Sequence, residues 1–409
     1  MSNYDNQVIT RLRDLRTIRE QAGRLLELGR AKQLNHFSLD ESRLADTAQF
    51  VTEVMLENYP DLDIPYHSRW RHFEAGGHHR VQQLRTQLSG SADEDMGNIF
   101  FELAIISVLL DAGAGHQWKF FDQKTGRNFS RSEGLAIASF EWYMSGGFSC
   151  TPQQPYRVDY ERLQSLRLVD LKEAFQVSKD NPLEGLEGRL QLLNQLGDVL
   201  VKSPQFFGIE ARLGHFYQHI TTQLVEQRIP AHALFTSVLL AFTDVWPKRL
   251  HYQGVPLGDV WTHSQLKSDR VGSEYIPFHK LSQWLTYSLI EPLEWSGVVV
   301  THLDALTGLP EYRNGGLFID MGVLQPRHED ILIEAQDPGS EVVVEWRALT
   351  VSLLDELAYR IRDQLQCDEQ VLPLARILQG GSWDAGRKTA AKLRQGTPPI
   401  TIISDGTIF

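Results

Sequence analysis

The chain has 409 residues, 42% of them hydrophobic and 22% charged, which is long enough for a full-sized core and too apolar for disorder. Forty Lys and Arg against 52 Asp and Glu leave a formal charge of -12, the wrong sign for a nucleic-acid partner, where Lys and Arg supply most of the affinity. No run approaches the roughly 18 uninterrupted apolar residues of a membrane span, the first residues lack a signal peptide's apolar stretch, and Cys150 and Cys367 offer neither a disulfide framework nor a thiolate metal cage.

These numbers predict a globular, cytoplasmic protein with neither nucleic-acid nor membrane partners. Length alone allows two or three domains. Nine Trp, 12 Tyr and 19 Phe, several beside Arg, His or Glu, suit a pocket for a small polar ligand.

In chain order, Val8, Leu12, Leu15, Ile18, Ala22, Leu25 and Leu28 recur at helical spacing, with Gly29 as a stop. Phe100 to Leu110 is apolar nearly all round, as in a buried helix, and ends at Asp111-Ala112-Gly113-Ala114-Gly115. Leu186, Leu190, Leu193, Leu196 and Leu200 form a stripe that Ser203-Pro204 closes. Ala231 to Trp246, closed by Pro247, reads as another buried helix. Strand-like pieces are short: Gly297 to Thr301, Leu317 to Asp320, Ile331 to Glu334 and Ile400 to Ile403, the last before a Ser404-Asp405-Gly406 turn. Trp346, Leu349, Leu353, Leu357, Ile361 and Leu365 make a long stripe with Ser340 as N-cap. There is no internal repeat, and the best boundary candidate, Thr151 to Asn181, carries enough leucines to be packed. The organisation reads as one mainly helical unit with small β additions.

Several chemistries fall away. Gly113-Ala114-Gly115 lacks the third glycine of a dinucleotide fingerprint, since position 118 is Trp118, and it follows a helix. No phosphate-cradling Gly-Lys-Ser/Thr occurs. His215 and His219 lie one helical turn apart but lack a third ligand nearby, so no metal is expected.

Four polar clusters remain. Tyr66 to Arg80, holding Arg69, Trp70, Arg71, His72, Glu74 and Gly76-Gly77, reads either as a solvated loop or as an anion-binding segment. Asp111 stands at a helix C-terminus, where the dipole disfavours it, and reads as a cap or as a group aimed into a cavity. On a helix from Tyr275 to Ser288, His279, Gln283, Thr286 and Tyr287 share a polar face opposite Leu281, Trp284, Leu285 and Ser288, a face that solvent usually takes. In Leu306 to Gly322, Glu311 and Arg313 flank Tyr312, Asn314 and two glycines follow, and Asp320 closes an apolar run. That segment reads as a turn with an internal ion pair, or as a Glu and Asp pair converging on a centre that develops positive charge.

These clusters, with Ser340 to Thr350 and the end from Pro398 to Phe409, resemble the uracil-catabolism family of fungi and bacteria, a domain of unknown function found beside a protein resembling GTP cyclohydrolase II. The resemblance starts near Phe37. It implies an N-terminal helix over residues 1–36 and a single family domain over 37–409. It also implies a pathway in which a ribose-attached pyrimidine is opened to ribosylurea-type intermediates, and association with the ring-opening protein.

A narrower similarity runs through Pro310-Glu311-Tyr312-Arg313, Gly322-Val323-Leu324 and Val344-Glu345-Trp346-Arg347-Ala348. These resemble the C-terminal half of queuosine-salvage N-glycosidases, helical relatives of DNA glycosylases that carry Asp where this chain has Glu311. The two resemblances imply a mainly α, DNA-glycosylase-like fold with a few short strands and a hydrolase of the N-ribosyl bond of a ring-opened uracil nucleoside or nucleotide. They point to Glu311, Asp320 and Asp111 as catalytic carboxylates. Arg69, Trp70, His72, Glu74, His279, Trp284, Arg313 and Asn314 are the expected substrate-binding residues, with no cofactor and no metal. An amidohydrolase acting on the ureido group and a non-catalytic partner of the ring-opening protein are the competing readings.

Overall fold

The longest apolar stripe builds the longest helix. In the computed structural model, which describes residues 3–246 and 248–403, it runs Glu341–Leu365, and Ser340 accepts a hydrogen bond from the Val343 N–H as its N-cap. Around it pack helices Leu15–Arg30, Leu44–Asn58 and Tyr312–Asp320. The described chain is mainly helical, and its strands are two or three residues long, paired in two-stranded ladders. No helix among the described residues is long and apolar enough to cross a membrane.

The chain folds into two compact units. One comprises the residues up to His67, Arg249–Gln283 and His302–Ile403, and the other Ser68–Lys248 and Trp284–Thr301. In the first unit, Phe37–Leu39 pairs antiparallel with Leu324–Pro326, and Val260–Thr262 with Tyr275–Pro277. In the second, Arg228–Pro230 pairs parallel with Val299–Thr301, and the buried helix Asp93–Leu109 packs against Arg131–Met144 and His215–Thr221.

Several local readings change in the fold. The stripe from Val8 to Leu28 is two helices, Asn3–Leu12 and Leu15–Arg30, because the Asp14 carboxylate accepts the Arg16 N–H at 2.9 Å and caps a new start. Leu317 to Asp320 and Ile331 to Glu334 are not strands but parts of helices Tyr312–Asp320 and Asp330–Ile333. Short apolar runs do not distinguish the two periods. Ile400 to Ile403 contributes a single bridge, Ile402 to Gln336. Thr151 to Asn181 is packed inside the second unit through buried Leu163, Leu166 and Leu171. The helix from Ala231 ends at Phe242, and Pro247 and the turn after Ile403 lie outside the described residues.

The first unit is tied by side chains on its central helix. Arg347 donates to both oxygens of Asp259 at 2.8 Å, with its guanidinium carbon 4.1 Å from the Phe278 ring centre. Burial pushes the Asp259 carboxyl up, but the Arg347 guanidinium, the Lys280 N–H and the Trp261 indole outweigh it and hold the group well below the usual carboxylate range. Removing one partner of such a pair typically costs 3–5 kcal/mol. Arg347→Met is therefore expected to lower stability by about 3–5 kcal/mol in urea denaturation. Because the folded-state pKa is depressed, the Asp259 contribution is fully present above the unfolded value near about 4 and is lost as the pH falls towards the folded one. Asp259→Asn should flatten the acid limb of the stability curve, and an unchanged limb would show that the pair does not set it.

Candidate active site

In the first unit the chemistry gathers at the start of helix Tyr312–Asp320. Glu311 is its N-cap, half-buried in an extended conformation, and its carboxylate accepts the N–H groups of Arg313 at 2.8 Å and Asn314 at 2.7 Å. Burial raises the Glu311 pKa, while those two N–H groups and the nearby Arg313 and Lys280 charges oppose the shift. Asn314 donates to the Leu309 carbonyl at 3.2 Å and accepts from the Ser382 hydroxyl at 2.8 Å. Ser382 closes a π-helical turn, Leu378–Ser382, a distortion frequent at functional sites. The next residue, Trp383, lies with its ring centre 5.1 Å from the Arg313 guanidinium carbon and 5.2 Å from that of Arg387.

The scaffold fixes this corner tightly. Trp346 donates its indole N–H to the Gly315 carbonyl at 3.0 Å, and a Cβ at Gly315 would lie 2.7 Å from that indole. A Cβ at Gly386 would lie 2.4 Å from the Arg313 carbonyl oxygen, so these two glycines let three helices approach. His67 lies beside Trp383, ring centres 5.9 Å apart, and pairs with Gln379 at 3.0 Å.

Asp320 does not converge with Glu311. The two carboxylates stand at opposite ends of one helix, separated along the axis by about 13 Å at ~1.5 Å per residue, and Asp320 is paired with Arg394 at 2.7 Å. His279 precedes the following helix with φ of 46° and donates its Nε2–H to the Leu12 carbonyl at 2.8 Å; burial lowers its pKa. It anchors the N-terminal helices. The polar face it was expected to share is not solvated: Gln283, Thr286 and Tyr287 are all buried, and Gln283 is satisfied by the Thr307 hydroxyl and N–H.

The second unit holds the other expected residues. Tyr66 to Arg80 is not a solvated loop; helix Arg69–Phe73 buries Arg69, Trp70, His72 and Phe73. Arg69, wholly enclosed, pairs with Asp111 at 2.8 Å and donates to the Ser107 hydroxyl at 2.8 Å and the Ser132 carbonyl at 3.1 Å. Asp111 thus serves a buried cation at the helix end, while Arg189 satisfies the loose carbonyls of Leu110, Ala112 and Gly113. Trp70 donates to the Ser288 carbonyl at 2.7 Å and is enclosed by Phe73, Phe100 and Trp295, a core position that leaves no open ring face for stacking. His72 lies near Trp284, ring centres 5.8 Å apart. Glu74 accepts the Val81 N–H at 2.8 Å.

His215 meets the Phe207 carbonyl at 3.1 Å, and His219 meets Gln223 at 3.0 Å. Among the described residues no three His, Cys, Asp or Glu side chains gather to hold a metal ion. Sequence reading missed Ser382, Trp383 and Arg387. The Gly380-Gly381-Ser382-Trp383 run, small residues before a tryptophan, is the signal that marks them.

The shared Val344 to Ala348 motif is architectural. Glu345 accepts the backbone N–H groups of His36 at 3.0 Å and Phe37 at 2.9 Å and contacts His263 at 3.2 Å, Trp346 holds Gly315, and Arg347 holds Asp259. The Glu311 carboxylate, the Arg313 guanidinium and the Trp383 indole form a charged, helix-lined corner. The chain belongs to the family described as "Protein of unknown function (DUF1688)", which it matches over residues 11–409. It is 38% identical over 413 residues to "Protein urg3" of Schizosaccharomyces pombe, covering 98% of this chain and 99% of that one. It is 37% identical over 411 residues to "Uracil catabolism protein 4" of Lachancea kluyveri, covering 92% and 93%.

Gly315→Ala is expected to destabilise the protein by about 1–3 kcal/mol, the usual cost of overpacking, by pushing the Glu311 helix off Trp346. A thermal melt equal to that of the parent would show that the close approach is not required.

Proposed function

We propose that this chain is an enzyme of uracil catabolism that hydrolyses the N-ribosyl bond of a ring-opened uracil nucleoside or nucleotide, ribosylurea or its 5′-phosphate, and releases urea. The name of the Lachancea kluyveri relative, "Uracil catabolism protein 4", supports the pathway. The reaction rests on one observation: Glu311, a half-buried carboxylate oriented by two backbone N–H groups beside a buried guanidinium. A cytoplasmic location and association with the ring-opening protein belong to the same proposal.

Breaking the bond between C1′ and nitrogen leaves positive charge shared by C1′ and the ring oxygen. A carboxylate already fixed in place stabilises that charge as it develops, without reorganisation at the moment of reaction. Burial strengthens this attraction and raises the proton affinity of Glu311, as a general base needs. Water adds to C1′ and gives its proton to Glu311, while the bond electrons leave with the ureido nitrogen, which takes up a proton to become urea. Asn314, locked between Leu309 and Ser382, keeps the helix start in register with the Trp383 segment. Asp320 and Asp111 are each bound to their own arginine, and neither is assigned to the reacting carbon.

Incubation with ribosylurea and with its 5′-phosphate should release urea and the free sugar or sugar phosphate in equal amounts. Ammonia as first product would transfer the chain to the amidohydrolases. Glu311→Gln should keep the circular-dichroism spectrum and melting temperature and lower kcat by about 10²-fold or more. Because the active form is the carboxylate and its pKa is raised, kcat should fall on acidification with an inflection above the ordinary Glu value of about 4.3. An unperturbed acid limb would remove Glu311 from the base role.

A further inference from the structure

Arginine burial in this protein follows one rule. Arg347 is met by Asp259, Arg69 by Asp111, Arg80 by Asp122, and Arg189 by the carbonyls of Leu110, Glu184 and Gly113. Arg313 breaks it. Only 6% of the residue is exposed, yet among the described residues its guanidinium has no hydrogen-bond or ion-pair acceptor. Its enclosed Nε is unsatisfied, as in Arg80 and Arg347, but those two find a carboxylate for their other nitrogens and Arg313 does not. Its guanidinium carbon lies 5.1 Å from the ring centres of both Tyr312 and Trp383. Rings orient a cation but do not replace the acceptors that a desolvated guanidinium requires. Glu311 does not supply them: its oxygens are oriented towards the Arg313 and Asn314 N–H groups, and no hydrogen bond or ion pair joins its carboxylate to the Arg313 guanidinium among the described residues.

We infer that Arg313 receives the phosphate of a phosphorylated substrate, so that the ribosyl compound is taken as its 5′-phosphate rather than as the free nucleoside. The inference rests on the reading of Glu311 as the group serving C1′. Ribosylurea itself is neutral, and its 5′-phosphate is the one anionic group such a substrate brings. A guanidinium fork matches phosphate oxygens bidentately. Arg387, also beside Trp383, adds positive charge to the same corner of a chain whose net charge of -12 otherwise repels anions. Glu311 and Arg313, two positions apart at one helix start, divide one ligand between them: the carboxylate serves the developing cation and the guanidinium the phosphate.

The test is calorimetric binding of ribose, ribose 5-phosphate and inorganic phosphate to the full chain, with turnover of ribosylurea and its 5′-phosphate alongside. Ribose 5-phosphate should bind the parent protein about 10- to 100-fold more tightly than ribose, as a charge-assisted contact does, and more tightly than free phosphate. Arg313→Met should abolish that preference, and Arg313→Lys, which keeps the charge without the fork, should retain part of it. Equal binding of ribose and ribose 5-phosphate by the parent overturns the inference even if neither variant folds. Binding of free phosphate no weaker than ribose 5-phosphate, or a preference that survives in Arg313→Met, also overturns it. The two proposals fail separately: cleavage of ribosylurea and its phosphate with equal kcat/KM removes the phosphate subsite and keeps the hydrolase. Arg313-dependent binding with no cleavage of either removes the hydrolase and keeps the subsite.

Discussion

Three consecutive residues on one helix, Glu345, Trp346 and Arg347, hold the first unit together. Neighbours on an α-helix point about 100° apart, so three in a row with polar partners require protein on most of the circumference. Glu345 takes the strand start at His36 and Phe37, Trp346 the carbonyl of Gly315, and Arg347 the carboxylate of Asp259. Helix Glu341–Leu365 must therefore lie inside, and its length follows from that role. A helix carrying this many buried polar groups is stable only if each is met. The segments that meet them are thereby fixed in place, including the helix that begins at Glu311.

Charge burial is the second constraint. Each buried arginine costs desolvation that only a well-placed acceptor offsets. In the second unit, Arg69 lies against Asp111 and Arg80 against Asp122, and Glu102 is ringed by Arg212, the Gly214 N–H and the Tyr143 hydroxyl. These groups look catalytic in isolation, being buried, charged and close to aromatics. Their valences are largely used, which makes them framework. The corner at Glu311 differs because, among the described residues, the Arg313 guanidinium has no acceptor.

The helices with long stripes were legible from spacing alone, since Leu186 to Leu200 and Trp346 to Leu365 each present one apolar face over several turns. Short elements were not. Leu317-Phe318-Ile319-Asp320 has too few residues to show a period, and what makes it helical is the cap at Glu311 and the contact of Gly315 with Trp346, a partner 31 positions away. The polar face containing Gln283 and Thr286 misled for a related reason. Polarity along a helix marks solvent only when no partner is available, and Gln283 finds Thr307. Of the site, Glu311, Arg313 and Asn314 were visible as a dense polar run. Trp383 and Ser382 come to them through a π-helical turn that no simple periodicity encodes.

The length of the Glu311 side chain bears on how it caps its helix. An N-cap needs its side-chain oxygen to reach back to the second or third N–H of the helix, a task that shorter Asp, Asn and Ser side chains usually perform. Here the longer Glu does it with both oxygens at once, one on each N–H. Bidentate capping of this kind removes the torsional freedom that makes Glu a loose cap, and it leaves the outer lone pair of each oxygen available at a defined position. The same helix start supplies Arg313 from its second position, so one cap sets the location of both charges. A carboxylate and a guanidinium fixed by one backbone feature keep their spacing when a ligand enters, and constant spacing is what electrostatic preorganisation requires.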